Sequence, residues 1–398
     1  MRKTRLVVIG ACAVDTILQV PYFPEQDSKL RATGLTKRRG GNCPNSLEVL
    51  QQLIHEEYFH RRESSDPAAC PPVPELSLIA TLPSRNSHQI PFILSSFDLP
   101  THEQHSMADN EVGRTANERP KLIDFSHCVY REMHTEPVTS YIISDQSTGT
   151  RTVINHNALE EMTPEEFRIR ADDIFEHSGL DARERNDIEK VWFHFEGRIP
   201  PTTLECIKYL RRHAAVTGTA PKPATVDLRI SVELEKPRRE GLQELAHEAD
   251  LIIFSRSWAE AEGYTSSAEC VKEQAVVLGY TNHSAGHCER TLICTWGDKG
   301  ACALTLPCAP EALDDRFVSS PAFVLGGKKV LDTVGAGDTF IAGMLFGFLC
   351  RGNGGSDISW SLGQKLDFAN ELAGRKVIQH GFGALGEQVK GLVDVLDQ

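Results

Sequence analysis

The sequence has no closely spaced pair of cysteines and no apolar run long enough to cross a membrane. Its 11 cysteines are an odd number, they are scattered singly along 398 residues, and none forms a Cys-x-x-Cys pair. A disulfide framework or a structural zinc site needs closer, paired spacing. The longest apolar run, residues 340–350, is too short for a membrane-spanning helix. We therefore expect a soluble protein with reduced thiols and no membrane partner.

Positive charge is also scarce. There are 42 basic and 55 acidic residues, a net charge of −13, and no long basic run. A polyanion would meet a repulsive field, so nucleic acid is not expected as a partner. The apolar run at residues 6–13 follows three basic residues, but it is short for the apolar region of a secretory signal. A cytoplasmic location is therefore expected.

Several catalytic motifs are missing. The first predicted strand is not followed by the G-x-G-x-x-G of a dinucleotide-binding fold, and no G-x-x-x-x-G-K-[ST] phosphate loop occurs. The sequence also lacks the G-x-S-x-G of α/β-hydrolases and the H-E-x-x-H of zinc proteases. These absences make a dehydrogenase, a P-loop enzyme, a serine hydrolase of that type and a zinc protease unexpected.

Short apolar runs alternate with helix-like segments over most of the chain. This order predicts an α/β fold with a mostly parallel sheet covered by helices on both faces, in one domain over residues 1–398. Ligands of such sheets gather at the carboxyl ends of the strands, where glycine and polar residues follow here. The predicted strands include residues 6–9, 76–80, 191–195, 251–254 and 291–294.

Two stretches depart from this alternation, at residues 15–40 and 137–157. Both have period-two segments and no helix pattern, and the second reads as a β-hairpin with little core of its own. They predict a small β-lid over the strand ends. The polar stretches at 56–74 and 101–120 predict surface loops that are insertions in the core fold.

The clearest motif is Asp332-Thr-Val-Gly335-Ala336-Gly337-Asp338, which an apolar segment follows directly. Glycines at 335 and 337 allow a tight turn and a close approach of a ligand to the backbone. Asp338 begins a predicted helix whose free N–H groups would hold an anion. A helix cap is the simpler interpretation of Asp338 alone. The preceding Gly-x-Gly favours a phosphate cradle with an adjacent carboxylate base.

A second motif, Gly40-Gly41-Asn42-Cys43-Pro44-Asn45, also leads into a predicted helix. Asparagine amides both donate and accept hydrogen bonds, which suits a neutral polyhydroxylated ligand. An asparagine-capped helix after a turn is the alternative. Asp15 follows the first predicted strand, where its carboxylate can accept two sugar hydroxyls, although a lone loop aspartate often has no such role.

Two features suit a nucleotide. The turn Thr295-Trp296-Gly297-Asp298-Lys299-Gly300 ends a predicted strand, and its N–H groups can line phosphates. Arg151 lies on the second predicted strand of the hairpin, from which it can reach over phosphates. A solvated surface arginine is the alternative interpretation.

Together these motifs resemble those of the ribokinase-like carbohydrate kinases, also called the phosphofructokinase-B family. Residues 332–338 match the family signature [DN]-T-x-G-A-G-D, residues 40–45 its sugar-binding region, and residues 295–300 its T-x-G-x-x-G turn. Their order and spacing agree over nearly the whole chain. Segments at 149–152, 193–198, 231–238 and 373–376 are similar to the ketohexokinase branch.

The resemblance implies a three-layer fold with a β-lid and the transfer of a phosphoryl group from ATP, with Mg²⁺, to a hydroxyl of a small sugar. It implies that Asp338 is the general base and that the backbone of Gly335, Ala336 and Gly337 forms an anion hole. The lids of such kinases commonly pair between subunits, so a homodimer is expected. The implied sugar-binding residues are Asp15, Gly41, Asn42 and Asn45, with Asp27 from the partner subunit, and the implied ATP-binding residues are Arg151, Thr295, Trp296, Gly297, Asp298 and Gly300.

The acceptor and the metal ligands are less determined. The resemblance implies a ketohexose such as fructose, phosphorylated at its 1-hydroxyl; a ribose or nucleoside kinase and a non-catalytic binding or regulatory protein are the alternatives. The N-x-x-E motif of many relatives is absent, and residues 255–258 stand in its place. The metal ligands therefore stay unassigned, with Glu233, Glu235, Glu260 and Glu262 nearby.

Overall fold

A large, mostly parallel sheet forms the centre of the molecule. A computed structural model describes residues 4–64, 73–99, 122–177, 190–217, 227–279, 289–306, 316–323, 326–352 and 359–397. The strands of this central sheet are β1 (Thr4–Ile9), β4 (Glu75–Ile79), β6 (Ile123–Asp124), β10 (Lys190–Glu196), β11 (Asp227–Leu234), β12 (Leu251–Phe254), β13 (Arg290–Thr295), β14 (Ala301–Leu306) and β15 (Phe317–Ser320).

Their spatial order is β15-β14-β13-β12-β11-β10-β1-β4-β6. Strand β14 runs antiparallel to both β13 and β15, and the other neighbouring pairs are parallel. Nearly all residues of β1 and β12 are buried, as expected for strands that helices cover on both faces. The carboxyl ends of β1, β10, β11, β12 and β13 therefore share one edge of the sheet.

Helices cover both faces of this sheet, as the alternating pattern predicts. Side chains alternate along each strand, so Leu6 and Val8 join one apolar core while Val7 and Ile9 join the other. The three-layer α/β prediction is confirmed. The helices are α1 (Asn42–Ser64), α2 (Gln89–Ser95), α3 (Pro164–His177), α4 (Pro200–Thr217), α5 (Leu242–Glu248), α6 (Arg256–Ala261), α7 (Ser267–Leu278), α8 (Ala336–Cys350), α9 (Leu362–Val377) and α10 (Leu385–Leu396).

A second sheet has four strands, β2 (Ala13–Val20), β3 (Gly34–Gly40), β8 (Val138–Asp145) and β9 (Arg151–His156), in the order β3-β2-β8-β9. We call it the lid sheet. Its register places Asp15 of β2 directly between Arg38 of β3 and Ser140 of β8. Side chains in register share a face, so these polar groups lie on one side of the lid sheet. The short strands β5 (Thr81–Pro83) and β7 (Val129–Arg131) pair separately.

The predicted loop at 56–74 is wrong over its first part, because α1 continues to Ser64. This part of α1 makes an ion pair with the rest of the fold. The Nη2 of Arg351, which directly follows α8, donates to the Glu57 carboxylate at 2.7 Å. Residues 65–72 of that stretch, and the predicted loop at 101–120, lie outside the described residues. Among the helices that the structure describes, none combines the length and the apolar character needed to cross a bilayer.

Candidate active site

Asp338 lies in the first turn of α8, which begins at Ala336, two residues earlier than the sequence suggests. Gly335 precedes the helix with a φ of 79°, in the left-handed region that favours glycine. A Cβ at this position would also lie 2.3 Å from the Cζ of Phe382. The fold therefore requires glycine at 335 for two reasons. The Asp338 side chain is buried, with 8% of the residue exposed.

The first turn of α1 contacts Asp338 directly. The Nδ2 of Asn45 donates to the Asp338 Oδ2 at 2.6 Å, and the Ser46 hydroxyl donates to its backbone oxygen at 3.0 Å. Gly41, just before α1, has a φ of 108°, and a Cβ there would lie 2.1 Å from the Ala11 carbonyl oxygen. This close contact holds the start of α1 against the end of β1. The structure thus brings the two predicted motifs together.

Asn42, the first residue of α1, bonds to two carboxylates. Its Nδ2 donates to the Oε2 of Glu233 and to the Oε2 of Glu235, each at 3.1 Å. Glu233 lies near the carboxyl end of β11, and Glu196 is the last residue of the neighbouring strand β10. The Glu196 Oε2 accepts from the backbone N–H of Ala11 at 2.9 Å. Glu196 was missed as a site residue, although it ends a predicted strand at the ligand-binding edge.

These carboxyl groups perturb one another. Burial raises the pKa of Asp338 to about 7, and the charges of Glu235 and Glu196 act in the same direction, while the hydrogen bond from Asn45 and the charge of Arg39 oppose them. Burial, followed by the charge of Asp338, raises the pKa of Glu233 well above its usual range. A carboxyl group with a pKa near neutrality can accept a proton at physiological pH.

Asp15 reaches the 332–338 segment through Arg38, a residue that the sequence did not single out. The Nε of Arg38 lies 3.5 Å from the Asp15 Oδ2, and its Nη1 donates to the Asp332 Oδ2 at 3.2 Å. Asp15 is buried, with 7% exposure. Arg38 is identified only by the strand register of the structure, which places it beside Asp15.

Lys376 near the end of α9 is a second cation bound to Asp332. Its Nζ is buried and donates to the Asp332 Oδ2 at 2.9 Å and to its backbone oxygen at 3.1 Å. Burial alone would raise the pKa of Asp332, but the hydrogen bond and charge of Lys376 outweigh it and lower this pKa. Arg151 of the lid sheet donates to the hydroxyl of Thr333 at 3.2 Å. The lid sheet therefore contacts this segment through two cations.

The turn at 295–300 lies at the end of β13, on the same edge of the sheet as Glu196 and Glu233. Trp296 is buried, and residues Gly297–Lys299 form a single 3₁₀ turn. Gly300 has a φ of 90°, and a Cβ there would lie 2.1 Å from the Ser320 carbonyl oxygen, so the fold itself requires this glycine. The side chain of Asp298 is exposed.

Asp27 lies in the exposed segment between β2 and β3, with a φ of 60°. A small cleft that is open to solvent adjoins Glu196 on the side of the N terminus of α4. Its walls include the apolar side chains of Ile79, Phe195 and Met162. Ala11, which lies against Gly41, also lines this cleft.

The model of the pfkB family carbohydrate kinases matches residues 119–387. A ketohexokinase from Mus musculus is 25% identical over 387 residues, which cover 97% of this chain and 100% of that protein. A ribokinase structure from Giardia lamblia superposes with a TM-score of 0.62 at 14% identity, over 99% of both chains. A Cryptococcus neoformans ribokinase in complex with ADP superposes with a TM-score of 0.52 at 15% identity, over 98% of this chain and 100% of that one. The chain therefore belongs to the pfkB family of carbohydrate kinases and is a phosphotransferase.

Proposed function

We propose that this sugar kinase transfers the γ-phosphoryl group of ATP to a ketohexose, with fructose 1-phosphate as the product. The observation that carries the proposal is the position of Asp338, a buried carboxyl group in the first turn of α8, bonded to Asn45 in the first turn of α1. Both helix N termini direct free N–H groups and positive partial charge toward this corner. A phosphoryl group in transfer is stabilised by such surroundings.

Asp338 acts as the general base in this proposal. It accepts the proton of the acceptor hydroxyl, whose oxygen forms a bond to the γ-phosphorus while the bond to the bridging oxygen of ADP breaks. The electron pair of that bond leaves with ADP. The raised pKa of Asp338, about 7, keeps the carboxylate basic enough to accept this proton at neutral pH.

The acceptor is held by side chains near the starts of α1 and β2. Asp15, Asn42 and Asn45 present carboxylate and amide groups, which match the hydroxyls of a sugar, and Gly41 allows the close contact with Ala11 that positions the start of α1. Glu196 adds a carboxylate next to the open cleft by the N terminus of α4. The part of the sugar distant from the reacting hydroxyl would extend toward this cleft.

The nucleotide phosphates lie over the 332–338 segment in this proposal. Gly337 has no left-handed φ, and no atom lies within 4 Å of a Cβ built there, so the space above it is open to a ligand. The N–H of Ala336 makes a long bond of 3.3 Å to the Thr333 carbonyl, which an incoming anion would displace. Arg151 supplies a positive charge from the lid sheet, and the residues of the turn, Thr295, Trp296, Gly297, Asp298 and Gly300, line the nucleotide.

Mg²⁺ accompanies ATP in this proposal and would neutralise phosphate charge when bound. Within the described ranges, no group of three or more His, Cys, Asp or Glu side chains could hold a metal ion. Mg²⁺ in kinases usually takes only one or two carboxylates besides phosphates and water. Glu233 and Glu235, which converge on Asn42, fit this requirement. Glu260 instead pairs with Arg256 within α6.

A homodimer through the lid sheet is supported by the face of this sheet that points away from Asp15. Leu35, Tyr141 and Ile154 lie on that face by strand register, and each is about half exposed or more, at 64%, 47% and 55%. Exposed apolar side chains that share one face of a sheet favour association. In such a dimer, Asp27 would reach the sugar of the partner subunit.

A cytoplasmic location is also part of the proposal. Seven cysteines among the described residues are free and buried. Free thiols of this kind are typical of proteins that work in a reducing compartment.

A panel of acceptors tests the function. ADP release is measured with fructose, other ketohexoses, ribose and adenosine, and the phosphorylated carbon is assigned by NMR. We expect the highest kcat/KM with a ketohexose and phosphate on its 1-oxygen. A preference for ribose or a nucleoside would contradict the ketohexose assignment but not the kinase. ATP binding without turnover of any acceptor would indicate a binding or regulatory protein.

A further inference from the structure

Arg39, the next-to-last residue of β3, is almost completely buried, with 3% exposure. Its Nη1 donates to the Asn45 Oδ1 at 2.6 Å, its Nη2 contacts the carboxylate of Glu48, and its Nε donates to the Ser96 hydroxyl at 3.1 Å. The guanidinium carbon lies 4.6 Å from the centroid of the Phe97 ring. The planar guanidinium group is thus fixed on all three nitrogens and on one face.

This arrangement determines which way the Asn45 amide faces. An arginine has donors and no acceptor, so only the oxygen of the amide can lie against it. The Nδ2 of Asn45 must then point in the other direction, where it donates to the Asp338 Oδ2 at 2.6 Å. With the amide reversed, its oxygen would face the carboxylate of Asp338, and two acceptors would lie in contact.

We infer that Arg39 is a positioning residue for phosphoryl transfer: it holds the Asn45 amide so that its NH₂ group binds one oxygen of the Asp338 carboxylate. This inference rests on the proposed role of Asp338 as the base. With Oδ2 bonded to Asn45, the second oxygen, Oδ1, is left for the proton of the acceptor hydroxyl. The contacts from Arg39 through Asn45 to Asp338 therefore favour the charged form of the Asp338 carboxyl group. They also leave Oδ1 as the oxygen that accepts the proton.

The electrostatic surroundings agree with this geometry. The hydrogen bond from Asn45 and the charge of Arg39 lower the pKa of Asp338 against the larger effect of burial. Loss of Arg39 would remove the charge and free the amide to rotate, and both changes favour the protonated carboxyl group. Four other titratable groups face Asp338. The charges of Glu235, just after β11, and Glu196 on β10 raise the pKa of Asp338. The pKa values of Cys43 on α1 and Glu233 on β11 are raised mainly by burial, and the charge of Asp338 adds to this.

The test compares the double variant Arg39→Met/Glu48→Gln with Glu48→Gln alone. The double variant keeps an apolar side chain on Phe97 and leaves no unpaired buried charge, while the control keeps the donor to Asn45. In the control, the amide oxygen that Glu48→Gln introduces can still accept from Arg39, and the Arg39 charge and its bond to Asn45 remain, so we expect its acidic limb to stay in place or move to lower pH. We expect the double variant to lose about five- to tenfold at pH 7, the size of a rise of about one pKa unit, and to recover above pH 8.

If the double variant and the control have the same pH profile, the inference is wrong, because a purely structural role of Arg39 predicts no shift of the acidic limb. All rates are measured with the best acceptor of the panel, so an error in the sugar assignment does not affect the result. Near-wild-type turnover of Asp338→Asn would instead show that the base role itself is wrong.

A milder variant gives a second test if the double variant does not fold. Arg39→Lys keeps the charge but has one ammonium in place of the planar fork. A double-mutant cycle combines it with Asn45→Ala. If Arg39 acts through Asn45, Arg39→Lys lowers kcat in the wild-type background and changes it by less than about twofold in the Asn45→Ala background. Equal effects in both backgrounds would overturn the inference.

Discussion

The Nδ2 of Asn45 lies 2.6 Å from the Oδ2 of Asp338, although 293 residues separate them along the chain. Each belongs to the first turn of its helix, so the contact brings the N termini of α1 and α8 to one point. Two positive helix ends then face the same small volume as the Asp338 carboxylate. In the proposed function, negative charge that develops during phosphoryl transfer would be stabilised there, and the acceptor hydroxyl would lie against this carboxylate.

Asp338→Asn tests the base. The amide keeps the size of the side chain and can still accept from Asn45, so we expect the fold and the sugar KM to change little. An amide cannot take the proton of the acceptor, and kcat should fall by about 10²- to 10⁴-fold. Steady-state kinetics, with ADP binding by calorimetry as the folding control, measure both quantities. Turnover close to that of wild type would contradict the base role.

The pH dependence of the reaction follows from the raised pKa of Asp338. Below a pH of about 7 this carboxyl group is protonated and cannot act as a base, so kcat/KM should fall as the pH drops through that value. The Glu196 charge raises this pKa. Glu196→Gln removes the charge and keeps an oxygen for the Ala11 N–H, so the acidic limb should move to lower pH. A limb that stays in place or moves upward would contradict this account.

Two glycines of one segment provide a matched pair. Gly335→Ala places a methyl group against Phe382 at a left-handed φ, and it should lower the unfolding temperature and the activity together. In Gly337→Ala, the added methyl group meets no protein atom outside its own helix. Replacing a glycine inside a helix with alanine stabilises the helix by about 1 kcal/mol.

The fold itself therefore does not require glycine at 337, whereas a phosphate that approaches the backbone there does. We expect Gly337→Ala to keep or raise the unfolding temperature and to raise the KM for ATP. Thermal unfolding and ATP saturation curves measure the two effects separately. An unchanged KM for ATP would place the phosphates elsewhere.

The parts of the site that depend on adjacent residues could be predicted from the sequence. The sequences of the 332–338 segment and of the start of α1 each predict a glycine turn followed by a helix, and the structure brings these two segments together. The parallel sheet of the core could also be predicted from the sequence, because buried strands such as β12 are short, continuous apolar runs.

The parts that depend on long-range register could not be predicted. Arg38 and Arg39 belong to a stretch that the sequence predicts only as part of a β-lid, and only the pairing of β3 with β2 turns Arg38 toward Asp15. Lys376 is not singled out by the sequence, yet it is buried against Asp332. Since a charged side chain is buried only where a partner compensates it, its burial depends on a residue 44 positions away.

A shared active site would make the dimer testable by complementation. If Asp27 reaches the partner's sugar, Asp27→Ala should raise the sugar KM, and Glu25→Gln in the same exposed segment should not. Homodimers of Asp27→Ala and of Asp338→Asn would then both be poor enzymes at low sugar. In a mixed dimer, one site combines an intact base with an intact Asp27. Co-expression in equal amounts gives mixed dimers in half of the population, so about a quarter of wild-type activity should return. Activity no greater than the average of the two homodimers, or a monomer in sedimentation experiments, would contradict the shared site.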